Sequence, residues 1–315
     1  MADNSKPGAV KLFQAVNVLE SLYPLEYAES WDNPGLIAGD LFWDVKKIRF
    51  AVDPTYETVA EAIEEGTDLL ICHHPLFFRS VHQVSGQGFR GDIINRLIEA
   101  KCALWVGHTN ADAAVRGQAD AAAFALGLKN CEALVPIDEK KVRPADAGKP
   151  VGIGRVGYLE TEMTLRQFAV RVHEVLQSTQ AGIRVAGDLE AKISKVAVLP
   201  GSGDSEFDAV RACGADVYVT SDLRHHPVVD AMQQAQYEAR LRNVGIDAGS
   251  VSGSSAKDSQ YPSPAFIDTA HSAIERMWFS YAKNDVPNEI EKQFGFRPQI
   301  SVSELVTDPW VLSIR

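Results

Sequence analysis

Apolar residues recur along the chain with two periods. Over 8–22, Val10, Leu12, Phe13, Val16, Leu19 and Leu22 fall at three- and four-residue spacings, which predicts an amphipathic helix that Pro24 stops. Short, largely apolar runs follow at 48–52, where Arg49 interrupts, and unbroken ones at 69–72 and 102–106, separated by segments of helical spacing at 55–65 and 91–101. Runs of this kind read as buried strands, and their alternation with helices predicts a parallel sheet built from right-handed crossovers. An alanine-rich helix over 117–128 closes this half. The pattern then restarts, with strands predicted at 151–159, 183–186, 193–199, 216–220 and 265–268 and helices at 164–177, 228–242 and from 271 onward. A polar helix near 287–294 and a strand around 300–302 complete it. The expected fold is therefore α/β: two similar α/β halves with mixed or parallel sheets flanked by helices. Residues 1–135 form the first half, with 270–315 packing back on it, and 151–265 the second. Residues 136–150 read as a linker, and the Ser-, Gly- and Pro-rich stretch 249–264 as a flexible loop.

Composition narrows the class. A chain of 315 residues that is 45% hydrophobic and 23% charged is an ordinary globular sequence, and disorder of the whole is excluded. The net charge of −11 opposes a nucleic-acid backbone, and no basic stripe offsets it, so no nucleic-acid partner is expected. Cys72, Cys102, Cys131 and Cys213 are isolated, without Cys-x-x-Cys spacing, and read as reduced core residues. The short polar start lacks a basic segment followed by a long apolar one, and no stretch approaches membrane-spanning length. The expectation is a cytoplasmic protein with no membrane partner.

Candidate chemistry gathers at strand ends. The run 69–72 leads into His73-His74-Pro75, and the proline restrains the direction in which His74 leaves the strand. Neutral imidazole is the commonest protein metal ligand, but one ring facing solvent and the other hydrogen-bonded in the core is an equally simple reading. The run 102–106 ends in Gly107-His108-Thr109-Asn110-Ala111-Asp112. Loops after the carboxyl ends of parallel strands line one crevice, which would bring His73, His74, His108 and Asp112 together. In the second half, Pro200-Gly201-Ser202-Gly203-Asp204-Ser205 could cradle an anion or simply turn the chain, since it lacks the Lys-Ser/Thr ending of a phosphate-binding loop. The strand 216–220 runs into Ser221-Asp222-Leu223-Arg224-His225-His226-Pro227. His271 and Glu275, four apart, would share one helix face and could grip a metal or form a plain surface contact. Trp31-Asp32-Asn33-Pro34-Gly35 is turn chemistry, with a site role for Asp32 and Asn33 as the alternative.

Taken in order, Trp-Asp-Asn-x-Gly-Leu, His-His-Pro-Leu-x-Phe, His-Thr-Asn-x-Asp, Asp-x-x-x-His and His-x-x-x-Glu resemble the NGG-interacting-factor-three-like proteins. These are also named GTP cyclohydrolase I type 2 homologues and described as dinuclear-metal hexameric proteins. The resemblance covers most of the chain. It implies that His73, His74, Asp112, His271 and Glu275 bind two metal ions in the crevice between the halves, that Asp222 and His226 lie nearby, and that the chain forms a homo-oligomer, a hexamer. Ser221 stands where the family has glycine and His225 where it has tyrosine; the first bears on the local turn, the second adds an imidazole that could compete as a ligand. The segment Asp268-Thr269-Ala270-His271 also departs from the family's Asp-Ala-Gly-His.

Three histidines and two carboxylates without thiolate suit two divalent ions of Zn, Fe, Mn, Co or Ni, and leave positions for water or substrate. His108 is then a candidate for orientation or proton transfer, or for capping its own turn, and His226 is a second catalytic candidate. The implied function is a metal-dependent hydrolase acting on a phosphorylated or nucleotide-like small molecule. The alternatives are metal delivery, storage or sensing without turnover, and metals that only staple an oligomer.

Overall fold

The structure is a computed structural model and describes residues 8–246 and 264–314. Its residues divide into two compact units. The first runs up to Gly117 and resumes over Phe279–Thr307; the second is Gln118–Trp278, joined by the residues from Asp308 onward.

The first unit opens with β1 (Val10–Lys11), α1 (Leu12–Leu22), β2 (Gly35–Ala38), β3 (Asp44–Val45) and β4 (Lys47–Ala51). It continues with α2 (Tyr56–Glu64), β5 (Leu69–Cys72), α3 (Phe89–Glu99), β6 (Ala103–Val106) and α4 (Thr109–Ala113). The second unit holds α5 (Gln118–Ala125), β7 (Leu128–Pro136), β8 (Gly152–Thr164), α6 (Leu165–Val175), β9 (Arg184–Ala186) and β10 (Lys192–Ser202). It ends with α7 (Phe207–Cys213), β11 (Val217–Ser221), α8 (His225–Asn243), β12 (Ala265–Thr269) and α9 (His271–Glu275). The chain then returns to the first unit with α10 (Phe279–Phe294) and β13 (Gln299–Val302).

In the first unit the five-stranded sheet has the order β13-β4-β5-β6-β2. The first four strands are mutually parallel, and β2 closes the edge antiparallel to β6. Every residue of β5 and β6 is buried, as unbroken apolar runs covered on both faces require. Thr55 caps α2 by accepting from the Thr58 amide, which fixes where the chain leaves β4 and turns back. Gly35, expected in the Asn-Pro-Gly turn, instead opens β2, pairing with Val106 while Leu36 pairs with Trp105.

The six-stranded sheet of the second unit has the order β7-β8-β10-β11-β12-β9. Its central β10, β11 and β12 are parallel, and the flanking strands pair antiparallel. Leu165, Phe168 and Val172 of α6 pack with Val196, Val198, Val217, Val219 and Ile267 from the strands, so the i, i+3, i+7 stripe of the helix meets the sheet.

Both sheets are thus mixed or parallel and flanked by helices. The unit boundaries fall elsewhere than sequence pattern suggested. Residues 118–135 belong to the second unit because β7 pairs along its length with β8. The predicted linker 136–150 is therefore a connection between two neighbouring strands of one sheet, with short turns at Glu139–Lys141 and Pro144–Asp146. The return to the first unit begins at Phe279, not at 270, because β12 and α9 are part of the second. Nearly all of the stretch 249–264 lies outside the described residues.

Candidate metal centre

Three adjacent parallel strands of the first unit deliver polar residues to one edge. Asp53 follows β4, His73 and His74 follow β5, and His108 follows β6, so neighbouring strand ends open toward one another as parallel topology dictates. Asp112 comes from α4, one turn beyond His108. His73 is fully buried.

The imidazoles are held in defined orientations. His73 Nδ1 donates to the Gly107 carbonyl at 2.8 Å. A carbonyl only accepts, so the proton sits on Nδ1 and the neutral ring presents Nε2 as an electron-pair donor. His74 Nδ1 donates to Asp53 Oδ1 at 2.6 Å, and His108 Nδ1 to Asp32 Oδ2 at 2.9 Å. Ionised carboxylates also only accept, so the same assignment holds for all three rings. His73 Nε2 and Asp112 Oδ1 face each other at 3.7 Å. That is too long for a hydrogen bond and is the spacing of two ligands on one ion whose bonds are each about 2.0–2.2 Å. The rings of His73 and His74 lie 5.1 Å apart, and His108 lies 5.4 and 6.0 Å from them. Trp31 and Phe78, both more than half exposed, meet His108 edge-on at 5.8 and 5.6 Å.

Asp32 is more than a turn residue. Its Oδ2 accepts from the Thr109 amide at 3.1 Å and from Thr109 Oγ1 at 2.6 Å, besides His108. Burial alone would push its carboxyl up, but the hydrogen bonds from His108 and Thr109 outweigh that and hold it below the usual carboxylate range.

The second unit repeats the plan. Gly201 near the end of β10, Asp222 after β11 and His271 after β12 follow three adjacent parallel strands. His271 Nδ1 donates to Asp222 Oδ2 at 2.6 Å, and its Nε2 lies 2.9 Å from Glu275 Oε1, one helical turn on. Glu275 is buried. Asp222 carries the positive φ of the turn, +56°, in the left-handed region that aspartate tolerates. Ser221, which replaces the family's glycine, ends the strand with its hydroxyl 2.9 Å from that of Thr269, its partner in register. Gly201 adopts φ +85°, and a Cβ there would stand 2.7 Å from Glu275 Oε1. The loop read as an anion cradle therefore makes room for a carboxylate.

The expected residues thus fall into two sets, His73, His74, His108 and Asp112 in the first unit and His271 and Glu275 in the second. His226 is not drawn in. It sits exposed on the first turn of α8 with its ring 5.2 Å from His225, and among the described residues no hydrogen bond joins either ring to Asp222, His271 or Glu275. The competing imidazole expected at His225 is accordingly turned to solvent. Sequence reasoning missed Asp53 and Gly201. Asp53 had a signal, because it follows its strand as His73 follows the next one; Gly201 was noted only within the 200–205 loop, with nothing in the sequence to point to the Glu275 carboxylate beside it.

The four cysteines are free, and burial pushes the thiols of Cys72 and Cys102 up, the latter to about 12. No described helix is long and apolar enough to cross a membrane.

Fold and site define an α/β protein with two large mixed sheets, and a small β1-β3 pair among the described residues, that carries histidine and carboxylate side chains at the carboxyl ends of its parallel strands. The sequence signature of Duf34/NIF3 (NGG1p interacting factor 3) spans residues 10–309, and the chain belongs to this family. It is 40% identical over 304 residues to a "GTP cyclohydrolase 1 type 2 homolog" of Streptomyces coelicolor, covering 96% of this chain and 95% of that one. Among solved structures it is similar to a Bacillus cereus protein related to NIF3, with TM-score 0.79 and 26% identity over 98% of this chain and 100% of the other. It is also similar to a Staphylococcus aureus hypothetical protein, with TM-score 0.75 and 26% identity over 96% and 99%.

Proposed function

We propose that the chain is a metal-dependent hydrolase of a phosphorylated or nucleotide-like small molecule, in which His73, His74, Asp112, His271 and Glu275 are ligands of two divalent transition-metal ions. The observation that carries this reading is the common tethering of the imidazoles. His73 and His74 each give Nδ1–H to an acceptor and so each offers Nε2, the arrangement that second-layer partners impose on metal-binding histidine, while His271, held through Nδ1 by Asp222, turns its Nε2 to Glu275 Oε1 at 2.9 Å. Within the first unit, His73 Nε2 and Asp112 Oδ1 face each other at 3.7 Å with the His74 ring beside them, and within the second His271 and Glu275 share one helical turn. The donor set, nitrogen and carboxylate oxygen without sulfur, fits Zn, Fe, Mn, Co or Ni.

When bound, such a pair supplies Lewis acidity at a phosphoryl or carbonyl oxygen and lowers the pKa of a water. The chain's own residues do the rest. Asp53, Asp222 and the Gly107 carbonyl hold the ligand rings in one tautomer. His108, pinned through Nδ1 by Asp32, keeps Nε2 for accepting or returning a proton at the substrate. Trp31 and Phe78 beside it present apolar faces to the substrate body. His226, exposed and set edge-to-face against His225, is given no role. A homo-oligomer, hexameric by family resemblance, is part of the proposal, and the exposed Phe13, Leu41 and Phe42 are apolar surface of the kind that subunit contacts cover.

Metal content measured by mass spectrometry, followed by a phosphoester and nucleotide panel, tests the reading. Turnover that disappears in His73→Ala and His74→Ala is expected. Metal uptake without turnover above those variants refutes the hydrolase and favours metal delivery, storage or sensing. The relative's name, a GTP cyclohydrolase homologue, makes GTP one member of the panel.

A further inference from the structure

The strand order of the first unit, β13-β4-β5-β6, puts one more strand end beside those that carry Asp53 and His74. Beyond β13 the chain stays in step with β4: the Ser303 amide donates to the Phe50 carbonyl at 2.8 Å, and Ser303 Oγ donates to Glu61 of α2 at 2.5 Å. Ser303 is buried, so the segment is anchored there. Four residues later Thr307 Oγ1 donates to Asp53 Oδ2. The other oxygen of the same carboxylate, Oδ1, accepts from His74 Nδ1 at 2.6 Å. Hydrogen bonds therefore run Thr307 to Asp53 to His74 across the ends of β13, β4 and β5.

A threonine hydroxyl on one carboxylate oxygen fixes the rotation of the carboxylate, and the second oxygen then fixes the ring that donates to it. The same unit shows the device twice. Asp32 takes the Thr109 hydroxyl and the His108 ring, although there both land on one oxygen. In the Asp53 case the hydroxyl comes from a residue 254 positions away, after the last strand. Local chain geometry cannot supply it.

We infer that Asp53 and Thr307 are positioning residues for His74, so that the segment after β13 sets the metal affinity of a ligand on β5. The inference rests on His74 being a ligand, as proposed above. Both residues act through His74 and need not touch metal or substrate. Partners of this kind change metal affinity by roughly 10- to 100-fold when removed.

The test uses the full chain and Co²⁺ or Zn²⁺ alone, with affinity read by competition against a chromophoric chelator and ligand geometry by the visible spectrum of the Co²⁺ form. Asp53→Ala and Thr307→Val should each weaken binding, by roughly 10-fold or more for Asp53→Ala, and shift the Co²⁺ spectrum. Thr307→Ser, which keeps the hydroxyl, should restore both. Circular dichroism and urea unfolding identify a variant that has merely unfolded, and for that case Asp53→Asn, which keeps the side-chain volume, stands in for Asp53→Ala. Unchanged affinity and spectrum in folded Asp53 and Thr307 variants, with His74→Ala impaired, refute this inference alone. A wild-type protein that binds neither ion, or a His74→Ala variant that binds as wild type, refutes the metal-site reading and this inference with it. An effect of Asp53 without one of Thr307 removes the β13 segment from the assignment and refutes the link between them.

Discussion

Replacing Gly201 by alanine separates two costs that are usually confounded. The residue sits at φ +85°, so any Cβ there carries the left-handed penalty, roughly 1–2 kcal/mol. The same Cβ would lie 2.7 Å from Glu275 Oε1 and 3.7 Å from His271 Nε2. Ordinary carbon contacts begin near 3.5 Å, so the carboxylate must retreat by about 0.7 Å or more. That atom is the far end of a flexible side chain, so the fold yields at little additional cost. A metal site does not, because useful ligand distances hold to within about 0.2 Å. Gly148 supplies the control: it adopts φ +76° and an added Cβ there meets nothing within 4 Å. Gly148→Ala and Gly201→Ala should thus lose similar stability in urea unfolding, while only Gly201→Ala loses metal affinity, by roughly 10-fold or more. Equal metal binding by wild type and Gly201→Ala would show that Glu275 at its observed position is not a ligand.

Three further outcomes follow from groups that the structure buries or pairs. Asp32 has its carboxyl held below the ordinary 3.8, so its stabilising contribution is complete above that value and is lost as pH falls through the lower folded one. Acid unfolding of wild type and Asp32→Asn should therefore converge below pH 3.8 and diverge above it; parallel curves would remove Asp32 from the balance. Arg49, buried and paired with Glu61 and Glu65 while donating to Ser301, should cost about 1–3 kcal/mol on replacement by methionine, less than a wholly buried ion pair because both acids are partly exposed; equilibrium unfolding measures it. Iodoacetamide at pH 8 should leave Cys72 and Cys102 unmodified in the folded protein and label them in urea, since burial suppresses both thiolates, and mass spectrometry of the peptides decides.

The central strands of the first unit were legible because buried parallel strands are written as unbroken apolar runs, and 69–72 matches β5 while 102–106 covers β6 with Cys102 in excess. The strand β7 was not, because Leu128-Lys129-Asn130-Cys131-Glu132-Ala133 mixes exposed and buried positions through a register irregularity between Lys129 and Glu132. Missing it moved the unit boundary by 18 residues, from 117 to 135. The polar pattern near 287–294 marks only the second half of α10, which carries Pro287 in its interior after the buried Val286. Among site residues, His73, His74 and His108 could be singled out because each follows a buried apolar run, whereas two imidazoles before a proline do not by themselves mark a site, as the exposed His225 and His226 before Pro227 show. Their partners carry no such mark: Asp53 is followed by Pro54 and reads as a turn, and Thr307 is a polar residue among polar neighbours. What a carboxylate or hydroxyl does there depends on which strands are neighbours, and strand order is absent from local sequence.

The sheet of the first unit is interrupted in sequence and that of the second is not. Residues 118–278 form a continuous stretch, whereas the sheet of the first unit waits for β13, which follows that whole stretch. During synthesis from the amino end the second unit can therefore close its sheet while β4 is still an open edge, its amide and carbonyl groups unpaired on the side that β13 will occupy. Thr307 follows β13, so the tether on His74 is completed only after that strand and the whole second-unit stretch before it have been made. An incompletely synthesised chain would carry the histidines without the clamp that orients one of them.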